Sequence, residues 1–63
     1  MSLGQTIRTL RKRRGMDQKE LADKLGLAQS TVCDWESGKT CPRHARLATL
    51  ARVLNVSVKR LVA

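Results

Sequence analysis

The sequence QKELADKLGLAQSTVCDWES, residues 18–37, places apolar residues at helical spacing on either side of one glycine. Apolar positions three and four apart lie on one face of a helix, so this pattern predicts two short amphipathic helices. Gly26 ends the first helix, because glycine adopts a left-handed backbone at little cost. Ala22 leaves room for the second helix to cross the first closely. The predicted inward-facing residues are Leu21, Leu25, Leu27, Val32 and Trp35.

The second of these helices, expected over about Gln29 to Ser37, has a polar outer face. Its inner face packs against the first helix, and its outer face stays free. This arrangement is typical of the helix-turn-helix, a motif that can place its second helix in the major groove of DNA. The outer face consists of Gln29, Ser30, Cys33 and Asp34.

The length of 63 residues predicts a single domain, residues 1–63, near the lower limit for folding without disulfides or metals. Trp35 is the one aromatic residue, so the core must consist of Leu, Val, Ile and Ala, which favours an all-α bundle. So small a domain is poorly suited to enclose a substrate, and no nucleophile–base pair is recognisable, so no enzyme activity is expected. No apolar run approaches the ~20 residues that span a membrane, and no secretory signal is visible.

The formal net charge of +8 is divided unevenly along the chain. All five acidic residues lie within residues 17–36, which carry a net charge of −3. Residues 1–16 carry +5 and residues 37–63 carry +6. A basic excess of this size indicates a polyanionic partner, although it also increases solubility.

The two cysteines do not form a recognisable site. Cys33 and Cys41 lack the C-x-x-C spacing of a redox or zinc pair, and His44 completes no set of metal ligands. Both cysteines fit a reducing cytosol, and a disulfide between them is the less favoured alternative. We expect no metal, no other cofactor and no small-molecule ligand.

Five helices are predicted from apolar periodicity and from residues that begin or end helices. Asp17, with Glu20 three residues later, is a capping box that begins the second helix. Gly38 and Asn55 suit the ends of the third and fourth helices, and Ser57 can cap a short fifth helix. The five helices are expected to end near Arg14, Leu25, Ser37, Leu54 and Leu61.

Two helix starts lack a favourable cap. Ala28 precedes the third helix and offers no side-chain acceptor, which costs roughly 1 kcal/mol relative to Ser or Thr. The fourth helix begins with Arg43, His44 and Arg46, which are cations at the positive end of a helix dipole. Either an anion such as a phosphate binds there, or the helix begins later and these side chains are solvated.

Several short motifs occur together. They are Ile7 with Leu10–Arg11, residues 15–22 (GMDQKELA), Gly26, residues 29–32 (QSTV), residues 35–39 (WESGK), Pro42, and an apolar series from Leu47 to Ser57. In this combination the chain resembles the phage-repressor and Cro-type DNA-binding domains, the lambda-repressor-like fold of the XRE family. The resemblance covers almost the whole chain. It implies a compact five-helix bundle in which helices two and three form the helix-turn-helix.

The resemblance also implies roles for individual residues. Gln29, Ser30 and Asp34 would face the base edges, where a Gln amide suits adenine and a carboxylate suits cytosine. Thr31 would meet a phosphate or a thymine methyl group. Asp34 departs from the family pattern, in which a cation or Gln is common, and its charge would repel phosphates. The expected phosphate contacts are Gln18, Lys39, Thr40, Arg43, His44 and Arg46.

Arg11 and Glu36 match a pair that forms a partly buried salt bridge in this family, between helix one and the end of helix three. The charge pattern alone would make Arg11 a DNA contact. The resemblance favours the structural role.

The implied function is sequence-specific transcriptional regulation by a repressor-like or Cro-like protein. It would bind a palindromic double-stranded DNA operator as a homodimer and be weakly dimeric or monomeric in solution. It would be cytoplasmic, nucleoid-associated and encoded by a bacterium or phage. Two alternatives stay open: an antitoxin-type regulator, and a protein-interaction module whose main partner is another protein. The apolar residues available for a dimer interface are Val56, Val58, Leu61 and Val62.

Overall fold

Five α-helices make up the computed structural model, which describes residues 2–63 and contains no strand in that range. They are α1 (Leu3–Arg13), α2 (Gln18–Leu25), α3 (Gln29–Ser37), α4 (His44–Leu54) and α5 (Val58–Val62). The predicted all-α fold is therefore confirmed, and every helix ends within one residue of its expected position. None of these helices is long and apolar enough to cross a bilayer.

Local hydrogen bonds define the helix boundaries. At the start of α2, the Glu20 amide donates to Asp17 Oδ1 at 2.7 Å, and the Asp17 amide donates to Glu20 Oε1 at 3.1 Å. The predicted capping box is therefore present. Ser57 Oγ accepts from the Arg60 amide and caps α5, also as predicted. A second capping box, formed by Ser2 and Gln5, begins α1 and was not foreseen.

Residues with a left-handed backbone end three of the helices. Gly26 follows α2 with φ of +69°, and Gly38 follows α3 with φ of +86°. Asn55 follows α4 with φ of +59° and is the one non-glycine residue with positive φ among residues 2–63. Asparagine tolerates this conformation better than most residues, so the chain can turn directly from α4 into α5.

A single core joins all five helices. It includes Met16 from the α1–α2 turn, which the periodicity did not identify, and Trp35, which is 5% exposed as expected of a core residue. Leu61 is completely buried, so the expectation that it lies on a dimer surface is wrong. The reason is that α5 packs against α1 and α4, and Leu61 is the residue of α5 that it buries in the core. The buried apolar residues are Ile7, Leu10, Met16, Leu21, Ala22, Leu25, Val32, Trp35, Leu50, Ala51, Leu54 and Leu61.

Gly4 allows α1 to approach the end of α3 very closely. A Cβ atom at Gly4 would overlap the carbonyl oxygen of Trp35 and would lie 2.9 Å from the carbonyl oxygen of Glu36. Both obstacles are backbone atoms, which cannot move aside as the end of a flexible side chain can. Gly4 therefore sets the distance between the first helix and the third.

We expect Gly4→Ala to destabilise the protein by about 1–3 kcal/mol, because the added methyl group overpacks a rigid contact. Helix propensity alone predicts the opposite sign, since Ala stabilises a helix by roughly 0.5–1 kcal/mol relative to Gly. Urea denaturation decides between the two effects. Lys12→Ala, at an exposed position of the same helix, is the matched control. A more stable Gly4→Ala variant would show that α1 and α3 are not in tight contact.

Candidate nucleic-acid interface

The helix α3 is anchored on one side and exposed on the other. Val32 is completely buried, and Trp35 packs in the same core. Gln29 and Ser30 are exposed in the first turn, whereas Thr31 and Asp34 are half-buried. The exposed line that runs along the helix consists of Ser30, Cys33 and Ser37, which are three and four residues apart. Cys33 therefore lies among the predicted base-reading residues, although it was not counted with them.

The start of α3 is uncapped, as the sequence predicted. Ala28 is the N-cap residue and makes no side-chain hydrogen bond. The Thr31 amide bonds to the Ala28 carbonyl, but no side chain covers the amides of Gln29 and Ser30. The first amides of a helix have no intrahelical partner, so this end of α3 is open to an external acceptor.

The loop after α3 folds back onto the helix that precedes it. The amides of Lys39 and Thr40 donate to the carbonyl oxygen of Asp34, at 2.9 and 3.3 Å. Pro42 is buried and fixes the end of the loop. Lys39 and Thr40 are exposed, and their backbone lies against the last turn of α3. The predicted loop contacts therefore lie next to the predicted reading helix.

The start of α4 carries a cluster of exposed cations. Arg43 is the N-cap residue, and the helix begins at His44, so the alternative of a later start is excluded. No side chain caps this end, and the first turn contains no acidic residue. Arg43, His44 and Arg46 are all exposed. Free amides and positive side chains thus occur together at the positive end of the helix dipole.

The expected pairing of Arg11 with Glu36 is present. Arg11 Nε donates to Glu36 Oε2 at 2.7 Å, and Arg11 Nη2 donates to Glu36 Oε1 at 2.9 Å. The two side chains are 8% and 4% exposed. A third bond, 2.8 Å long, runs from Arg11 Nη1 to the Met16 carbonyl oxygen in the α1–α2 turn. Since the guanidinium is used inside the domain, the charge-based interpretation of Arg11 as a DNA contact is wrong.

Gln18 extends this cluster to the start of α2. Its Nε2 donates to Glu36 Oε1 at 3.2 Å. The resemblance to the repressor family implied a phosphate contact for Gln18, and the bond to Glu36 was not predicted. A primary amide has two N–H groups, so one is used here and the other remains for an external acceptor. The bond also fixes the orientation of the Gln18 amide plane.

Arg11 and Glu36 each favour the ionised form of the other. Burial alone would raise the pKa of Glu36, but hydrogen bonds from Arg11 and Gln18, together with the charges of Arg11 and Arg8, outweigh it. The pKa of Glu36 consequently lies below its ordinary value of 4.5. The hydrogen bond to Glu36 raises the pKa of Arg11, against the effect of burial. Both groups are therefore ionised at neutral pH.

The remaining polar groups do not assemble a metal or redox centre within residues 2–63. Cys33 and Cys41 are free thiols, and both are exposed. No group of three or more His, Cys, Asp or Glu side chains in this part of the chain could hold a metal ion.

Comparison with known proteins identifies relatives along almost the whole chain. A family model described as helix-turn-helix matches residues 7–61. The immunity repressor protein of Bacillus phage phi105 is 34% identical over 62 residues, which are 98% of this chain and 43% of that protein. Multiprotein-bridging factor 1 of Candida albicans is 34% identical over 59 residues, which are 94% of this chain and 39% of that protein.

Solved structures match more completely. The P22 c2 repressor protein in complex with a synthetic operator gives a TM-score of 0.91 at 27% identity, covering 98% of this chain and 94% of that chain. SinR, a master regulator for biofilm formation, in complex with DNA gives 0.86 at 38% identity, covering 94% and 95%. By contrast, the chain spans only 39–56% of the length of the first sequence relatives.

We expect Arg11→Ala and Glu36→Ala each to lower the free energy of unfolding by roughly 3 kcal/mol or more, because each strands a buried charge. The double variant should lose far less than the two single losses combined. Urea denaturation of the four proteins measures this coupling. Lys19→Ala, which removes an exposed ion pair with Asp23, should cost under about 1 kcal/mol and serves as the control. Additive losses would exclude a cooperative pair.

Acid should remove the contribution of Glu36 to stability. Because its folded-state pKa is lowered, the contribution is complete above the unfolded-state pKa and is lost as the pH falls through the folded-state pKa. Unfolding measured from neutral pH down to well below 4.5 should show this loss in the wild type. Glu36→Gln, which cannot ionise, should show a shallower pH dependence. Parallel curves for the two proteins would contradict the assignment.

Proposed function

The chain belongs to the helix-turn-helix family of the phage-repressor, XRE type, and from this premise we propose that it is a sequence-specific DNA-binding transcriptional regulator. It binds a palindromic operator as a homodimer, with α3 in the major groove. The observation that carries the proposal is the state of α3. Its inner face is fixed by Val32, Trp35 and the Glu36 ion pair, while its polar outer face is exposed. Rigid presentation of a short polar helix is what major-groove readout requires.

Base recognition is assigned to the first two turns of α3. Gln29 enters the groove first, because the N-terminal end of a recognition helix points toward the bases. Its amide can bond bidentately to adenine, and the carboxylate of Asp34 can accept from the amino group of cytosine. Ser30 and Thr31 complete this surface, with Thr31 toward the phosphates or a thymine methyl group.

Phosphate contacts are assigned to the exposed groups on both sides of α3. Lys39 and Thr40 follow the helix directly, and the free amides at the start of α4 suit a phosphate oxygen. Phosphate contacts position a protein on DNA but carry no base information themselves. The full set proposed is Gln18, Lys39, Thr40, Arg43, His44 and Arg46.

Dimerisation is assigned to α5 and the turn that precedes it. Val58 and Val62 are 36% and 54% exposed, whereas Val56 packs partly against the core. The exposed apolar area is small, so the dimer is weak and forms mainly on DNA. Two half-sites about 34 Å apart, one helical turn, would then be occupied together.

We propose that the protein is cytoplasmic and associated with the nucleoid, and that a bacterium or a phage encodes it. Phage and bacterial repressors among its relatives support this placement. The relative from Candida albicans is a multiprotein-bridging factor, so a second candidate function is the binding of another protein. In that case the main partner is a protein and duplex DNA is not bound.

Selection from random duplexes tests the proposal. A palindromic consensus, protected over two half-sites in a footprint, is the expected result. Protection of one half-site at full affinity would exclude the dimer while leaving DNA binding intact. Failure to retain any duplex at low salt would exclude the regulator and favour the protein-bridging function.

Substitutions on α3 and in the loop should separate readout from positioning. Gln29→Ala should cost about 1–3 kcal/mol on the selected operator and relax the preference at one base pair. Lys39→Ala should weaken binding to all sequences alike, because it removes a phosphate contact. Binding is measured on a panel of operators that each differ at one base pair. A uniform loss in both variants would place the reading face elsewhere.

A further inference from the structure

A groove between α1 and α5 lies apart from α3 and shares α5 with the surface proposed for the dimer, where it uses Lys59 and Arg60 rather than Val58 and Val62. Its volume is about 520 Å³. Leu10, which is 6% exposed, forms part of its floor. Its walls are formed on the α1 side by Thr6, Thr9 and Arg13, and on the α5 side by Ser57, Lys59, Arg60 and Ala63.

The groove opens on a side of α1 that does not contact α3. Gly4 and Arg11 are seven residues apart, nearly two turns, and both contact the end of α3. Thr6, Thr9 and Arg13 are three and four residues apart and share a different side of the helix. A ligand in the groove would therefore leave the outer face of α3 uncovered.

The charged side chains around the groove are all cationic. Arg13, Lys59 and Arg60 take part in neither of the two ion pairs found in residues 2–63. Their side chains also make no hydrogen bond to another described residue. All carboxylate side chains lie within residues 17–36, on or beside α2 and α3. The groove consequently combines an apolar floor with a rim of three cationic side chains that no carboxylate side chain neutralises.

We propose that this groove docks an acidic amphipathic peptide segment of a partner protein. An apolar side chain of the segment covers the floor at Leu10, and flanking carboxylates pair with Arg13, Lys59 and Arg60. Protein–protein recognition uses this combination of an apolar centre and a charged rim. A phosphate backbone could use the cations but has no group that would fill an apolar floor. The partner can bind while α3 is occupied, so the two surfaces would join a regulator to a second protein.

A dye-labelled peptide that alternates Asp or Glu with Leu, titrated with the 63-residue chain without DNA, tests the proposal directly. Saturable binding is expected in fluorescence anisotropy. The double variant Arg13→Glu, Lys59→Glu should weaken it by about tenfold or more, because both rim charges become repulsive. The matched control Lys12→Glu, Arg52→Glu changes the net charge equally at exposed positions outside the groove. It should weaken binding by less than about threefold.

Two further measurements separate the contribution of apolar contact in the groove from that of the rim charges. Thr9→Trp fills the groove without altering any charge and should also weaken the peptide, with folding verified by circular dichroism. A peptide with Ser in place of each Leu should bind much more weakly. Equal binding of the Ser peptide, or equal losses in the groove and control variants, would overturn the proposal. It would also be overturned if duplex DNA lost affinity in the groove variant alone, since the groove cations would then serve the DNA complex, directly or through the dimer.

Discussion

The ion pair between Arg11 and Glu36 is the interaction on which the position of α3 depends. It joins the first helix to the last turn of the third, and the same two side chains also bond to the Met16 carbonyl and to Gln18. Buried charges tolerate few geometries, because each must retain its partners to offset the loss of water. Four segments are therefore held in one arrangement by two side chains. The apolar core packs the same helices together, but its contacts are non-directional, whereas the hydrogen bonds of the ion pair fix one geometry.

The close contact at Gly4 completes this constraint from the same side. The ion pair draws the end of α3 toward α1, and the absence of a side chain at Gly4 permits backbone to meet backbone. The two contacts meet α3 within one turn, at Trp35 and Glu36, and meet α1 nearly two turns apart, at Gly4 and Arg11. The opposite end of α3 has neither device, since Ala28 supplies no cap. The C-terminal end of the third helix is therefore held by both devices, whereas the end proposed to meet the bases is held by core packing at Val32 and keeps its first amides uncapped.

The sequence allowed the helix ends to be predicted closely, because caps such as the Asp17–Glu20 box and the glycine at Gly38 act over a few residues. The Arg11–Glu36 pair joins residues far apart in the chain and was predicted only through resemblance to a family. Gly4 and the burial of Leu61 depend on how helices meet, which periodicity does not specify. The bond from Gln18 to Glu36 was not predicted for the same reason. The sequence predicted that one side of α3 is polar and exposed. Which residues on that side contact DNA stays a prediction.

The uneven distribution of charge along the chain suggests that the proposed DNA binding has two successive steps, capture and then residence. The helix-turn-helix segment is itself net negative, and the cations lie before and after it. Long-range attraction acts first and governs how often a polyanion is captured, while short-range contacts govern how long the complex lasts. We therefore assign the capture of DNA to the basic residues before and after the helix-turn-helix, and the lifetime of the complex to α3. On this proposal the protein would dissociate readily from most sequences, because Asp34, the carboxylate of α3 that is not paired with Arg11, would be repelled by phosphates unless it bonds to a base.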